Sequence, residues 1–357
     1  MTFKKLKINT AAPAKPEASI LIIYTGGTMG MIMDQNKALV PFDFEMILSQ
    51  IPTLKSFNLE LNVIAFEKPI DSSSILPYHW SLIAQIIEEG YEEHDGFIVL
   101  HGTDTMAYSA SALSFMLEGL QKPVIFTGAQ LPVSSPRSDA QENLITSIEV
   151  AAAKRNGKPI VQEVCIYFDY LLLRANRSKK VESQNFDAFR SENYPPLAEA
   201  GIHIDYRYNY ILQKEPKEKF TVSKKLSDEV MILKLFPGIN RKMIESITSI
   251  EGLKGIVLET FGSGNAPIEP DFINPLKEAI EKGIIVVNIS QCVGGKVMQG
   301  TYETSRLLSE IGVIGGKDMT TEAAITKLMY LFGKEITIEK VKKSIVSSLR
   351  GEMDDRN

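Results

Sequence analysis

Two short stretches, Tyr24-Thr25-Gly26-Gly27-Thr28 and His101-Gly102-Thr103-Asp104-Thr105, place hydroxyls, a carboxylate and glycines directly after runs of apolar, strand-like residues. A buried strand ending in a small polar turn is where α/β sheets place their ligands, and the glycines leave open space beside the hydroxyls. A threonine there could be a nucleophile, and Thr28 is the candidate. A free hydroxyl is weak at neutral pH, however, and needs a base. Asp104 and a lysine such as Lys180 could complete a polarised Thr–Lys–Asp chain. Each turn could equally do no more than satisfy backbone groups, as Ser, Thr, Asp and Gly often do. Finding two of them puts the two readings on an equal footing.

Competing chemistries fit poorly. Neither turn matches GxxxxGK[ST], and Gly315-Gly316-Lys317 is followed by Asp318 where a phosphate loop needs Ser or Thr. There is no GxSxG elbow. The four histidines, His79, His94, His101 and His203, lack metal-ligand spacing and read as packed or surface residues. Two cysteines, Cys165 and Cys292, each next to an apolar residue, predict buried thiols in a reducing compartment and exclude a CxxC site.

The elements that must hold these turns alternate along the chain. Apolar strands are predicted at Ile20 to Tyr24, Leu59 to Phe66, Gly96 to Leu100, Lys122 to Thr127 and Val161 to Phe168. Helices are predicted over 42–50, from Pro77, after the second turn to about Leu117, and from Ser138-Asp139-Ala140-Gln141, which has a capping-box pattern. A polar cluster, Asp71-Ser72-Ser73-Ser74, precedes the Pro77 helix. This order predicts a mainly parallel, doubly wound sheet. A charged, proline-containing run in 207–228 reads as a linker to a smaller α/β domain with strands near Val230, Gly255 and Gly283 and helices at Pro270 to Glu281, Thr321 to Leu331 and Ile338 to Leu349. The predicted organisation is a loose leader (1–18), a catalytic domain (19–206), the linker (207–228) and a C-terminal domain (229–357).

With 357 residues, 44% of them hydrophobic, the chain can bury a sizeable core. A formal net charge of −5 and no basic stripe argue against nucleic-acid or anionic-membrane partners. No apolar segment approaches the roughly 20 residues needed to span a bilayer, and the basic N-terminus has no apolar core behind it, so a cytoplasmic protein is expected.

YTGGTMG together with HGTDTMAYSASALSFML resembles the L-asparaginase family, in particular its cytoplasmic bacterial type I enzymes. The resemblance extends through DSS at Asp71 to Ser73, TGAQLP at Thr127 to Pro132, RSDAQENL at Arg137 to Leu144, FGSGNAP at Phe261 to Pro267, VVNISQC at Val286 to Cys292 and GVIGGKDMTTEA at Gly312 to Ala323. It implies hydrolysis of L-asparagine to L-aspartate and ammonia through an acyl-enzyme, without metal or organic cofactor. Thr28 matches the family's nucleophile, Thr103 and Asp104 its second threonine and aspartate, and Lys180 the lysine completing that group. Asp71 and Ser72, with Ser73, match positions that hold the amino-acid end of the substrate. The resemblance also implies a homodimer or homotetramer, with the Gly264-Asn265 loop reaching a neighbouring site. Two departures stand out. Leu39 occupies the place of a loop tyrosine two residues before a proline, so either the loop register shifts or Thr28 is activated without that phenol. Lys179 and Glu259 differ from relatives with an effector asparagine site, so cooperativity is not expected. Rival readings are the amidase subunit of a transfer-RNA amidotransferase, for whose additional N-terminal domain the short leader leaves no room, a glutamine-preferring enzyme, and a non-catalytic amino-acid-binding protein.

Overall fold

The computed structural model describes residues 2–11, 14–33, 39–41, 51–212, 219–300, 303–334 and 336–355, and they form two compact units, Met1–Lys224 and Lys225–Asn357. The helix expected over 42–50 lies outside the described residues.

The first unit is built on a nine-stranded sheet. Its strands are β1 (Phe3–Asn9), β2 (Ala18–Tyr24), β3 (Leu59–Phe66), β4 (Gly96–Leu100), β5 (Val124–Thr127), β6 (Val164–Phe168), β7 (Leu171–Arg174), β8 (Ala198–Ala200) and β9 (Ile204–Tyr206). The order is β1-β3-β2-β4-β5-β6-β7-β8-β9. The central strands from β3 to β6 run parallel. The apolar runs of β2 (from Ile20), β4, β5 and β6 are buried, as strands covered on both faces must be, while β3 alternates buried with half-buried positions. The expected parallel sheet is therefore its centre, while every pairing outside β3 and β6 is antiparallel. At one edge the reason is local: Asp169 and Tyr170, at φ 47° and 68°, turn β6 directly into β7 as a two-residue hairpin.

The loose leader expected over 1–18 is corrected at the other edge. Phe3 to Asn9 pairs antiparallel with β3, from Phe3 opposite Phe66 to Asn9 opposite Glu60. Lys4, Lys5 and Lys7 are exposed while Leu6 and Ile8 pack on the core, and lysines of this kind protect an edge strand from pairing further. At the other end of the unit, Thr221 and Val222 pair with Glu118 and Leu117, and Phe220 stacks on Tyr91 at 3.6 Å. Residues 220–222 of the expected linker thus pack as part of the first unit, and the boundary between the units falls inside that linker, after Lys224.

Three helices matter for the site. α1 (Pro77–Gly90) opens on proline and buries Trp80, Ile83 and Ile87. α2 (Met106–Met116) is short-side-chained and buried on all sides, so it lies inside the unit rather than on its surface. α3 (Ala140–Ala152) starts after Asp139 without the expected capping box; the Asp139 carboxylate instead accepts from the backbone N–H groups of Gln130 and Leu131.

The second unit holds a parallel sheet of β10 (Val230–Lys234), β11 (Gly255–Thr260), β12 (Ile285–Ser290) and β13 (Ile314–Gly315), in that order. Helices α4 (Arg241–Thr248), α5 (Pro270–Glu281), α6 (Glu303–Glu310), α7 (Thr321–Gly333) and α8 (Ile338–Ile345) accompany it. α8 stops short of the predicted Leu349. Beyond it Glu352, fully buried, accepts from the Leu349 and Arg350 N–H groups and pairs with buried Lys327 at 2.6 Å, which pins the chain against α7. Cys165 is buried as expected, but Cys292, in the loop after β12, is exposed.

Candidate active site

Tyr24 and Leu100 end neighbouring parallel strands in register, so the two threonine turns leave the same carboxyl edge of the sheet. They touch through their glycines. Gly27, at φ 94°, adopts a backbone conformation that favours glycine, and a Cβ there would fall 2.6 Å from the Gly102 nitrogen. A Cβ on Gly102 would in turn lie 2.5 Å from Ser72 Oγ. The first and second turns are thus packed backbone to backbone, and the Ser72 side chain lies directly on Gly102.

The first turn divides its hydroxyls. Thr25 is buried, and its Oγ1 donates to the Leu100 carbonyl at 2.9 Å, which spends it on joining β2 to β4. Thr28 opens a single helical turn, Thr28–Gly30, is half-buried, and its hydroxyl makes no hydrogen bond among the described residues. Tyr24 fills the space over Gly30 and donates to its carbonyl. The chain then forms a hairpin of Met31–Met33 with Leu39–Pro41, which sets Leu39 opposite Met33. Residues 34–38 lie outside the described residues.

The second turn is tied more heavily. Thr103 is buried, and Lys180 Nζ donates to Thr103 Oγ1 at 2.8 Å and to Asp104 Oδ1 at 2.7 Å. Lys180 reaches it from a two-residue strand paired with Phe189–Arg190, with its side chain only 16% exposed against 64% for Asp104. The Thr103 hydroxyl donates to Gln130 Oε1 at 3.2 Å. Gln130 has no freedom to flip, because its Nε2 donates to the Asn185 carbonyl, which can only accept. Thr105 donates to the Ser72 carbonyl at 2.7 Å, fastening the third segment. Within that segment the Asp71 carboxylate accepts from both the N–H and the hydroxyl of Ser73, each at 2.9 Å, leaving Ser72 buried against Gly102.

Thr28, Asp71, Ser72, Ser73, Thr103, Asp104 and Lys180 therefore belong to three touching segments and one lysine strand, and Lys180 is bonded to Thr103 and Asp104 directly. Two further groups stand against them. Gln130, in TGAQLP after β5, orients Thr103, and Asp139 braces Gln130. His101 lies under the second turn, 2% exposed, and burial pushes its imidazole down to about 4. The nearby His79 is likewise lowered by burial. A polar residue following a buried strand was the available signal for Gln130, but nothing in the sequence says which neighbour it meets. Among the described residues no cluster of three or more His, Cys, Asp or Glu side chains could hold a metal ion. No helix of the described residues is long and apolar enough to cross a membrane.

Residues 19–212 match the asparaginase N-terminal family model and residues 229–345 the glutaminase/asparaginase C-terminal domain. L-asparaginase 1 of Escherichia coli (strain K12) is 41% identical over 337 residues, 94% of this chain and 98% of that protein. The 60 kDa lysophospholipase of Mus musculus is 38% identical over 364 residues, 95% of this chain and 63% of that longer protein. The crystal structure of L-asparaginase I from Vibrio cholerae superimposes with a TM-score of 0.86 at 41% identity, covering 94% of this chain and 99% of that one. A fold of this order, carrying these turns and matched along both units, makes the chain a member of the asparaginase family.

Proposed function

We propose that this chain hydrolyses L-asparagine to L-aspartate and ammonia, with Thr28 as nucleophile. The observation that carries the reading is the Lys180 bridge to Thr103 and Asp104 on a turn whose glycine backbone touches that of the Thr28 turn. Thr28 Oγ attacks the side-chain amide carbon. The C=O becomes an oxyanion, backed by N–H groups at the strand ends and the Thr103 hydroxyl. Collapse expels the amide nitrogen, which takes up the proton given up by the Thr28 hydroxyl and departs as ammonia, leaving an ester on Thr28 that water then cleaves to aspartate and free Thr28. Thr103, Lys180 and Asp104 form the proton-handling group. In the resting arrangement Lys180 donates to Thr103 while the Thr103 proton faces Gln130. The hydroxyl must therefore rotate, and Lys180 must first pass a proton to the Asp104 carboxylate it already bonds, before Lys180 can accept one from Thr103.

A zwitterionic substrate needs a carboxylate for its ammonium group, which the exposed side of Asp104 offers, and donors for its carboxylate, which Ser72 and its neighbours offer. Ser73 serves by holding Asp71. The reaction uses no metal or organic cofactor in this scheme. We further infer a cytoplasmic homodimer or homotetramer, with the Gly264-Asn265 loop serving a neighbouring subunit's site.

The deciding experiment is a coupled ammonia assay on wild type and Thr28→Ala with asparagine and glutamine. Ammonia from the wild type and none above background from a folded Thr28→Ala is expected. Full turnover by Thr28→Ala would end the nucleophile assignment, and binding of amino acid without ammonia release by the wild type would end the enzymatic one.

A further inference from the structure

Beneath the second turn runs a line of buried polar side chains that none of the bonds among Thr103, Asp104 and Lys180 requires. His101 Nδ1 lies 2.7 Å from the Gly102 carbonyl oxygen. A carbonyl only accepts, so this nitrogen carries the proton. On a neutral ring Nε2 is then an acceptor, and Ser109 Oγ of α2, 2.9 Å away, donates to it. Ser109 in turn accepts from Trp80 Nε1 of α1 at 2.8 Å, and an indole N–H is donor only. Every donor in the series points the same way: Trp80 to Ser109, Ser109 to His101, His101 to Gly102. All three side chains are buried, and His101 stays neutral through the physiological range.

This chain ends on the peptide between Gly102 and Thr103. In a planar trans peptide the N–H points opposite the C=O. With the Gly102 carbonyl held toward the core, the Thr103 N–H faces away from it, and it donates to no acceptor among the described residues. Aligned hydrogen bonds in a low-dielectric interior also polarise one another, which strengthens the N–H at the far end of the same amide. Glycine at 102 leaves this peptide without a side chain of its own to fix it, and the packing that sets it comes from Ser72, Gly27 and the imidazole.

We propose that His101 is a positioning residue for the hydrolysis, acting through the Gly102 carbonyl to fix and polarise the Gly102–Thr103 peptide so that the Thr103 N–H meets the tetrahedral oxyanion. This rests on the hydrolytic reading above. His101 is not a proton carrier in the reaction, and it touches neither Lys180 nor Asp104 in the bonds described. Its effect falls on the transition state, where the oxyanion exists, and not on the bound amino acid.

The experiment uses the full chain as wild type, His101→Phe and Ser109→Ala. Steady-state ammonia release gives kcat and KM for asparagine, and calorimetry gives the affinity for the product aspartate. Removing a direct oxyanion donor typically lowers kcat about 100-fold or more, and removing its support in His101→Phe is expected to lower kcat about 10- to 100-fold with KM and aspartate affinity within about threefold of wild type. Ser109→Ala, which leaves the ring but frees it, is expected to lose several-fold in kcat with the same unchanged affinity. A folded His101→Phe with kcat within twofold of wild type overturns the proposal, as does a parallel loss of kcat and aspartate affinity, which marks general disruption of the pocket. Should His101→Phe fail to fold, Ser109→Ala decides by the same criteria. Wild-type protein that releases no ammonia would instead overturn the hydrolytic reading itself.

Discussion

The two threonine turns leave adjacent strands of one sheet at the same edge, yet they are held by different means. The Thr25 to Thr28 turn is fixed by the Thr25 N–H and hydroxyl on the Leu100 carbonyl and by the fit of Gly27 against Gly102, and its outer hydroxyl on Thr28 is unengaged among the described residues. The second turn is held mainly by side chains: Lys180 and Gln130 bond Thr103, Thr105 donates its own hydroxyl to the Ser72 carbonyl, and His101 bonds the Gly102 carbonyl. A nucleophile that must change bonding partners benefits from freedom, whereas groups that stabilise charge act without reorganising only if they are already in place. The contrast supports the proposed division, with attack from the first turn and stabilisation by the second.

That contrast can be broken at four points. Lys180→Met removes the only cation bonded to Thr103 and Asp104 in the described structure, and kcat for asparagine should fall about 10²- to 10⁴-fold, the range for a positioned acid–base group. A loss below tenfold would show that the second turn does not depend on its lysine. Gly102→Ala forces a methyl against Ser72 Oγ and the Gly27 backbone, and overpacking of this kind costs about 1–3 kcal/mol. Urea midpoints should drop accordingly, and an unchanged midpoint would mean the three segments are not packed as described.

The third test is a pH series. The folded state holds His101 at about 4 against an ordinary value of 6.5, so the unfolded chain binds the extra proton between those values. Stability is then complete above pH 6.5 and is lost as pH falls toward 4. Between pH 7.5 and 5 the His101 share is about 2 kcal/mol, at 1.36 kcal/mol per unit. His79, close enough for its charge to disfavour a proton on His101 and itself lowered by burial, contributes with the same sign. His101→Phe should flatten the stability–pH curve by that 2 kcal/mol; equal slopes for the two proteins would contradict a buried neutral imidazole. Smallest is Thr25→Val, which keeps the shape and removes one buried hydroxyl donor. It should cost about 1 kcal/mol of stability while kcat stays within a few-fold. A collapse of kcat there would erase the distinction between the two threonines of the first turn.

Much of this was legible along the chain. Leu59 to Phe66 and Gly96 to Leu100 form strands over the residues their apolar runs predict, and Pro270 to Glu281 is a helix between the predicted ends. What escaped has identifiable causes. Phe3 to Asn9 resembles a basic tail because an edge strand needs only Leu6 and Ile8 to pack and leaves its lysines exposed. The hairpin at Asp169-Tyr170 carries neither glycine nor asparagine, the residues that usually announce two positive φ angles. Asp139 reads as part of a helix cap, but its carboxylate is claimed by Gln130 and Leu131, a competition visible only once β5 and α3 are adjacent.

The sequence by itself determined which residues could do chemistry, because hydroxyls, Asp104 and glycines at strand ends are a local pattern that hydrophobic periodicity can locate. Only the tertiary structure decided their partners. Lys180 lies 77 positions from Thr103, and Trp80 29 positions from Ser109. Such contacts depend on strand order and on how closely glycine backbones approach, which no short stretch of the chain encodes. The same holds for the difference between Thr25 and Thr28, three residues apart: a hydrogen bond to a neighbouring strand engages the first hydroxyl, and the second has no partner among the described residues.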